Sequence, residues 1–355
     1  MRTEISAAML LLNCLAACSG WDDGVNPGAE GRPHDRLSEY RLFTGNPADL
    51  RPNDRVLPYD LNSQLFTDYA EKARFVWMPE GVTGVYRDSS VFDLPHGTIL
   101  VKNFYYPDSV PAGSFPGIRH LVETRLLVHE RSGWKGYPYV WDESQTDARL
   151  SITGGEQSVS ILGRDGNPRT IRYLIPNANQ CRSCHSIDGQ MRPLGIATRH
   201  LNKDFHYPEG PENQLLRWVD AGYLDQARSP DNAERMADYH DPASGTVEQR
   251  ARAMLDINCG HCHSPRGAGG TSGLFLHFHE QNPAALGVMK PPVAAGRGSG
   301  GLRYSIVPGK PDESILVYRM LSNEPGIMMP EYGRTIVDEE AVELIHEWIE
   351  AMTLP

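Results

Sequence analysis

One stretch decides how the second half of the chain is expected to fold: TVEQRARAMLDINCGHCH, residues 246–263. Thr246 and Gln249 have the T-x-x-Q spacing of a capping box, which marks the start of a helix. Apolar residues then recur at helical spacing. The pattern predicts a helix that leads into the stretch from Cys259 to His263.

The last five residues of this stretch follow the pattern C-x-x-C-H, and the same pattern occurs at 181–185. C-x-x-C-H is the attachment signature of c-type haem. Cysteines three positions apart at the start of a helix lie one turn apart on one face. Both thiols can therefore form thioethers with the vinyl groups of one haem, and the histidine that follows can bind its iron. The two motifs predict two covalently bound haem c groups, attached at Cys181, Cys184, Cys259 and Cys262, with iron ligands at His185 and His263.

Two other uses of paired cysteines fit this sequence less well. A zinc site built from two C-x-x-C pairs usually has about 15–20 residues between the pairs, far fewer than separate Cys184 from Cys259. Disulfide isomerases also carry Cys-Gly-His-Cys, but there it follows a buried strand. A helix is predicted before Cys259, which favours haem.

Methionines after the second motif offer a sixth ligand to its iron. In Ile327-Met328-Met329-Pro330, a thioether on an irregular segment can approach the iron from the side opposite His263. We expect Met329 to be this ligand, with Met328 as the alternative.

The sixth ligand of the first haem is less well specified, because no Met-Pro pair follows His185. Met191 is one candidate, since Asp188-Gly189 supplies the turn that would bring it back. Further candidates are His200, His206, Met236 and His240. The remaining alternative is an open coordination position, which would let the iron bind peroxide or another small ligand.

The N-terminus has the pattern of an exported lipoprotein. An apolar run over 5–17 ends in small residues, as in a secretory signal. Leu15-Ala16-Ala17-Cys18 resembles the lipobox, in which the cysteine becomes the diacylated first residue. An ordinary cleavage site with an incidental cysteine is the alternative.

This pattern predicts a signal peptide over 1–17, lipidation of Cys18 and a flexible tether over 18–36, which is rich in Gly, Asp and Pro. Ser19 after the cysteine favours the outer over the inner membrane. We therefore expect a lipid-anchored protein on the periplasmic side of a bacterial membrane.

Residues 37–176 predict an all-β domain, a sandwich or open barrel. Runs such as 98–106 and 121–130 are rich in β-branched and aromatic residues. Ser132-Gly133 and the segment 164–168 are typical of hairpin loops between such runs.

The remainder is expected to be mainly α and cytochrome c-like. It divides into a first haem-binding segment, 177–243, and a cytochrome c-like domain, 244–355. Asp338 is expected to begin a closing helix, because acidic residues follow it and apolar residues then share one stripe. The expected fold is thus multidomain, with an all-β part before the haem domains.

The net charge of the chain argues against two classes of binding partner. The 355 residues include 34 Lys and Arg against 45 Asp and Glu, a formal net charge of -11. This balance opposes binding to nucleic acid or to an anionic membrane surface. The predicted contact with a membrane is therefore through the lipid anchor only.

These residues together resemble a largely uncharacterised family of dihaem c-type cytochrome lipoproteins with a β-rich N-terminal region. The C-terminal half also resembles the class I type of cytochrome c domain, through Val307-Pro308-Gly309, Arg319 and the Met-Pro pair. The resemblance implies haem c and electron transfer. The stretches that carry it are 57–62, 121–126, 134–137, 139–141, 176–181, 213–215, 255–259 and 292–295.

Two functions remain open on this evidence. One is an exported electron carrier that passes single electrons between redox partners, such as a dehydrogenase and a soluble cytochrome. The other is a haem enzyme of peroxidase or small-molecule reductase type, with the first haem as an open catalytic site. The identity of the axial ligands separates the two.

Overall fold

The computed structural model describes residues 24–107, 119–164 and 166–353. The leader, the lipobox and Cys18 lie outside these residues. Within them, none of the helices has both the length and the apolar character needed to cross a membrane.

Six antiparallel strands form one sheet, and their order in the sheet follows their order in the chain. The predicted hairpin at Ser132-Gly133 is confirmed, because Glu130 pairs with Gly133 across it. The strands are β1 (Leu57–Tyr59), β2 (Glu71–Trp77), β3 (Ile99–Pro107), β4 (Arg119–Glu130), β5 (Gly133–Trp141) and β6 (Ala148–Leu150).

Two further strands, β7 (Gly155–Leu162) and β8 (Pro168–Ile175), form a separate antiparallel ribbon. A hairpin loop is predicted here over 164–168, but Leu162 pairs with Pro168, so Pro168 is already the first residue of β8. Val159 and Tyr173 of the ribbon share a buried cluster with Phe104 of the sheet. The described residues thus form an open sheet with an attached ribbon, in place of the expected sandwich or barrel.

The rest of the chain alternates short elements with long irregular connections. The helix α4 continues into one π-helical turn, Asp256–Gly260. The elements are α1 (Ala178–His185), β9 (Ser186–Ile187), β10 (Gln190–Met191), α2 (Thr198–Leu201), β11 (Asp204–Tyr207), β12 (Gly210–Asn213), α3 (Gln214–Asp220), α4 (Val247–Leu255), α5 (Pro283–Leu286), α6 (Ile315–Leu321) and α7 (Glu339–Glu350). Short 3-10 turns occur at Leu37–Tyr40, Pro47–Asp49, Pro242–Ser244, Gly270–Ser272, Gly296–Ser299 and Pro311–Glu313.

The expected fold class is wrong. Helix accounts for 24% and strand for 27% of the structure, so the chain is a multi-sheet, β-rich protein with few helices, and no cytochrome-like helical domain is evident in the described part. The physical reason lies between α4 and α7, where glycine and proline recur and interrupt helix. The starts of those two helices are nevertheless where the sequence predicts them. Thr246 and Gln249 form the capping box, and Asp338 caps α7.

The two faces of the sheet bury different partners. One face packs against the segment 37–56, with Leu37 and Tyr40 buried against it. The other face shares a core with the C-terminal half, in which Val76 of β2 and Trp348 of α7 belong to one cluster. The predicted domain boundaries stay predictions, and hydrophobic contacts cross them.

Part of the predicted tether contacts the folded chain. The Asn26 amide donates to the Tyr40 carbonyl over 2.8 Å, and the His34 ring packs edge-on against Tyr40 at 4.6 Å between centroids. The residues from about 26 onward are therefore held against the sheet.

Candidate cofactor site

A capping box positions the first C-x-x-C-H motif at the end of the ribbon. The Asn177 side chain accepts from the Gln180 amide, and the Gln180 side chain accepts from the Asn177 amide, each over 2.9 Å. This fixes the start of α1 at Ala178, directly after the N-cap Asn177. Cys181 and Cys184 therefore lie one turn apart within α1, and His185 is its last residue.

The His185 ring is held in one orientation. Its Nδ1 lies 2.8 Å from the Arg192 carbonyl, to which it donates in the neutral ring. Burial is the main cause that lowers the pKa of His185, to about 4. The ring therefore stays neutral with Nε2 left over, which is the form and the atom that metal ions take from histidine.

A buried carboxylate positions the second motif. Asp256 opens the π-helical turn and accepts from the Arg199 Nε at 3.0 Å, the His200 Nε2 at 3.2 Å and the Phe278 amide at 2.8 Å. Burial opposes its ionisation, but the His200 hydrogen bond and the Arg199 charge outweigh it and hold the pKa of Asp256 below its usual range. The turn that carries Cys259 is thereby fixed to α2.

This arrangement accounts for His200, one of the sequence candidates for an iron ligand. Its Nε2 is taken by Asp256, and its ring is buried. His200 positions the second motif and does not line the cavity between the motifs.

The two motifs, far apart in sequence, meet in space. The Cys184 and Cys262 thiols lie close to each other, and His261 lies near Cys184. The interaction between the two thiols lowers the pKa of Cys184 and raises that of Cys262.

The segments that follow the two motifs are also joined. The Asp188 amide donates to the Arg266 carbonyl over 3.1 Å. The side chains of the same two residues form an ion pair at 3.4 Å. Main-chain and side-chain contacts therefore hold the two motifs in register with each other.

A cavity of about 170 Å³ lies between the sheet and the C-terminal half. Residues from both motifs line it, together with two of the methionines that the sequence analysis singled out. Cys262 and His263 are not part of this lining. The predicted site residues that line it are Cys181, Cys184, His185, Cys259, Met191 and Met329.

Met329 and Met328 occupy different environments. Met329 lines the cavity, whereas Met328 is buried and does not. The Met329 amide donates to the Arg319 carbonyl over 3.0 Å, and the Arg334 guanidinium donates to the Met329 carbonyl over 2.9 Å. Arg334 also donates to the carbonyls of Met320 and Ser322. Sequence reasoning missed this buried arginine, because no local pattern announces a side chain that binds carbonyls of a distant loop.

The reversal expected after His185 is present. Asp188 and Gly189 have φ values of 52° and 73°, the left-handed conformation of a tight hairpin turn, and β10 pairs with β9 so that Met191 lies opposite Ser186. Met191 packs beside Cys181 over Gly136, where an added Cβ would come within 3.0 Å of Met191 Cε. The role of Met191 as an iron ligand stays a prediction. His206, Met236 and His240 do not line this cavity.

The donor set fits two covalently attached haem groups. The described residues contain no cluster of three or more His, Cys, Asp or Glu side chains arranged to hold a bare metal ion. The four thiols are free. The Nδ1 of His263 is buried without a hydrogen-bond partner, and burial lowers the pKa of this histidine, which keeps it neutral for ligation.

Comparisons with protein-family models, with curated proteins and with solved structures find no match to this chain.

Proposed function

We propose that this protein is an exported dihaem c-type cytochrome that transfers single electrons between redox partners. The observation that carries the proposal is the meeting of two complete C-x-x-C-H motifs, which contribute to one cavity and whose following segments are joined at Asp188 and Arg266. Haem c supplies reversible one-electron chemistry when bound. Cys181 and Cys184 would hold one group and Cys259 and Cys262 the other. His185, His263 and Met329 are the proposed iron ligands.

The contact between the motifs favours a carrier in which the two cofactors work in series. Electron tunnelling weakens steeply with distance, and covalent attachment at two neighbouring motifs would keep the two groups close. The ion pair between Asp188 and Arg266 supports the same spacing from the outer side. Electrons that enter at one group would therefore reach the other quickly.

The haem content of the purified full-length protein tests this proposal. We expect two haems per chain in a pyridine haemochrome assay, and haem stain retained on a denaturing gel. Cys259→Ala with Cys262→Ala should leave one haem, and the reciprocal pair at Cys181 and Cys184 should leave the other. Wild-type protein with one haem or none would contradict the proposal.

Partners and location are part of the same proposal. A dehydrogenase and a soluble cytochrome are the proposed redox partners, and the net charge of -11 favours a basic surface on them. Lipidation at Cys18 would hold the protein to the periplasmic side of a bacterial membrane, the outer membrane in preference to the inner.

A further inference from the structure

Three cations form a row across the sheet on the face that lines the cavity. Arg74 of β2 lies opposite Lys102 of β3, and Lys102 lies opposite Arg125 of β4. Directly opposed residues on neighbouring strands place their side chains on one face. All three line the same cavity as the two C-x-x-C-H motifs. We call them the cationic row.

The two outer members of the row have carboxylate partners. The Arg74 guanidinium lies 2.7 Å from Asp60, which also pairs with Lys203 at 3.2 Å. The Arg125 Nε donates to the fully buried Glu123 over 2.9 Å. Glu123 is further occupied by the Tyr173 hydroxyl, which donates to it over 2.5 Å. Each carboxylate is therefore already engaged.

Lys102, in the middle, has no such partner. In the described part of the chain its side chain makes no hydrogen bond and no ion pair. Its ammonium lies 4.8 Å from the centre of the Phe104 ring. Desolvation and the charge of Arg74 hold the pKa of Lys102 well below its usual value. A half-buried charge without a partner, next to like charges, is destabilising.

The charge balance of this wall therefore calls for an anion. Asp60 already pairs with Arg74 and Lys203, and Glu123 with Arg125, so neither carboxylate is left to neutralise Lys102. The charge of Lys72 adds to the positive charge around Lys102. The wall also faces the first motif, because Cys181 and His185 line the same cavity as the cationic row.

We propose that the cationic row binds the propionate carboxylates of the haem attached at Cys181 and Cys184, with Lys102 as the main ion-pair partner. The inference rests on the proposed function and adds to it a non-covalent anchor on the sheet. An ammonium that donates to a carboxylate in a cavity forms one of the stronger hydrogen bonds. The β-rich part of the chain would thereby take part in holding a cofactor.

The anchor has a consequence for the redox potential. A positive charge beside a haem favours the reduced iron, which carries one positive charge less than the oxidised iron. Lys102→Gln should therefore lower the potential of one haem and leave the other nearly unchanged. Lys102→Arg retains the charge and should restore most of the wild-type potential.

The experiment is a spectroscopic redox titration of the haem-loaded full chain, with electron paramagnetic resonance on the oxidised form. Lys310→Gln is the matched control, because Lys310 is exposed and pairs with Glu313 on the surface. We expect a downward shift of one potential in Lys102→Gln, no comparable shift in Lys310→Gln, and an unchanged spin state in both. Loss of one haem from Lys102→Gln but not from Lys102→Arg would also support the anchor.

Three results would overturn the anchor. If both haem redox potentials of Lys102→Gln match those of Lys310→Gln, the cationic row does not contact a haem. A change to high spin, with binding of carbon monoxide, would make Lys102 an iron ligand instead. Loss of one haem from both Lys102 variants would show that this position does not act through its charge. A wild-type chain without two haems would instead overturn the proposed function, and the haem count separates that failure from these three.

Discussion

The Met-Pro segment, 327–330, shows how far the sequence alone can identify a candidate iron ligand. Met328 and Met329 are adjacent and have the same side chain. The loop is oriented so that Met329 lines the cavity, whereas Met328 is buried away from it. That orientation comes from Arg319 and Arg334, which hold the loop by its main chain. The candidate could be predicted from its place before proline, but the arginines could not, because their partners are carbonyls.

Replacement of the two methionines tests this distinction. Met329→Ala should remove the sixth ligand of the C-terminal haem, lower its potential and let the iron bind carbon monoxide, because a thioether favours reduced iron. Met328→Ala should change the potential much less, and a redox titration with carbon monoxide binding measures both. The opposite order of effects would move the ligand to Met328, and no spectral change in either would place it elsewhere.

At the scale of elements, local signals predicted most of the strands and helix starts but not what joins them. The capping boxes at Thr246 and the cap at Asp338 formed as the sequence indicated. The π-helical turn that carries Cys259 was not predictable, because apolar spacing does not reveal one extra residue in a turn. The capping box at Asn177 was not predicted either, because no apolar residues at helical spacing follow it to mark a helix.

The Asn177 cap tests whether the position of α1 matters to the site. Asn177→Ala should cost about 1 kcal/mol of stability, the usual cost of losing an N-cap. It should also reduce the haem content at Cys181 and Cys184, because both thiols lie in the helix that this cap begins. Thermal unfolding and haem stoichiometry measure the two effects.

Asn213→Ala is the control, because the Asn213 side chain also caps a helix, α3, by accepting from the Leu215 amide, and α3 carries none of the motif residues. It should lower stability by a similar amount and leave both haems in place. Equal loss of haem in the two variants would mean that general stability, and not the position of α1, controls attachment.

At the scale of the whole molecule, the sequence could predict strands but not how they assemble. Alternation of polar and apolar residues identifies a strand that is buried on one face. The strands β2 to β4 are instead covered on both faces by segments from distant parts of the chain. The cationic row illustrates the limit, because Arg74, Lys102 and Arg125 become neighbours only through strand register. No spacing in the sequence brings three cations together in this way.

Anchoring is also a property of the whole molecule. Cys18→Ala should release a folded, haem-loaded protein into the soluble fraction without a change in its spectrum, because lipid and not charge is proposed to hold it. Fractionation and mass spectrometry of the N-terminal residue provide the measurement. Wild-type protein that is already soluble, with unmodified Cys18, would contradict the anchor and leave the cytochrome proposal intact.

The core shared by the sheet and the C-terminal half also determines whether haem attachment can follow folding or must precede it. Leu57 and Ile349 belong to one buried cluster, and the four thiols are only partly exposed once that cluster has closed. A porphyrin cannot enter between layers that are already packed. We therefore expect the attachment machinery to work on an open chain, with ligation completed at both motifs before the last helix docks and seals the interior.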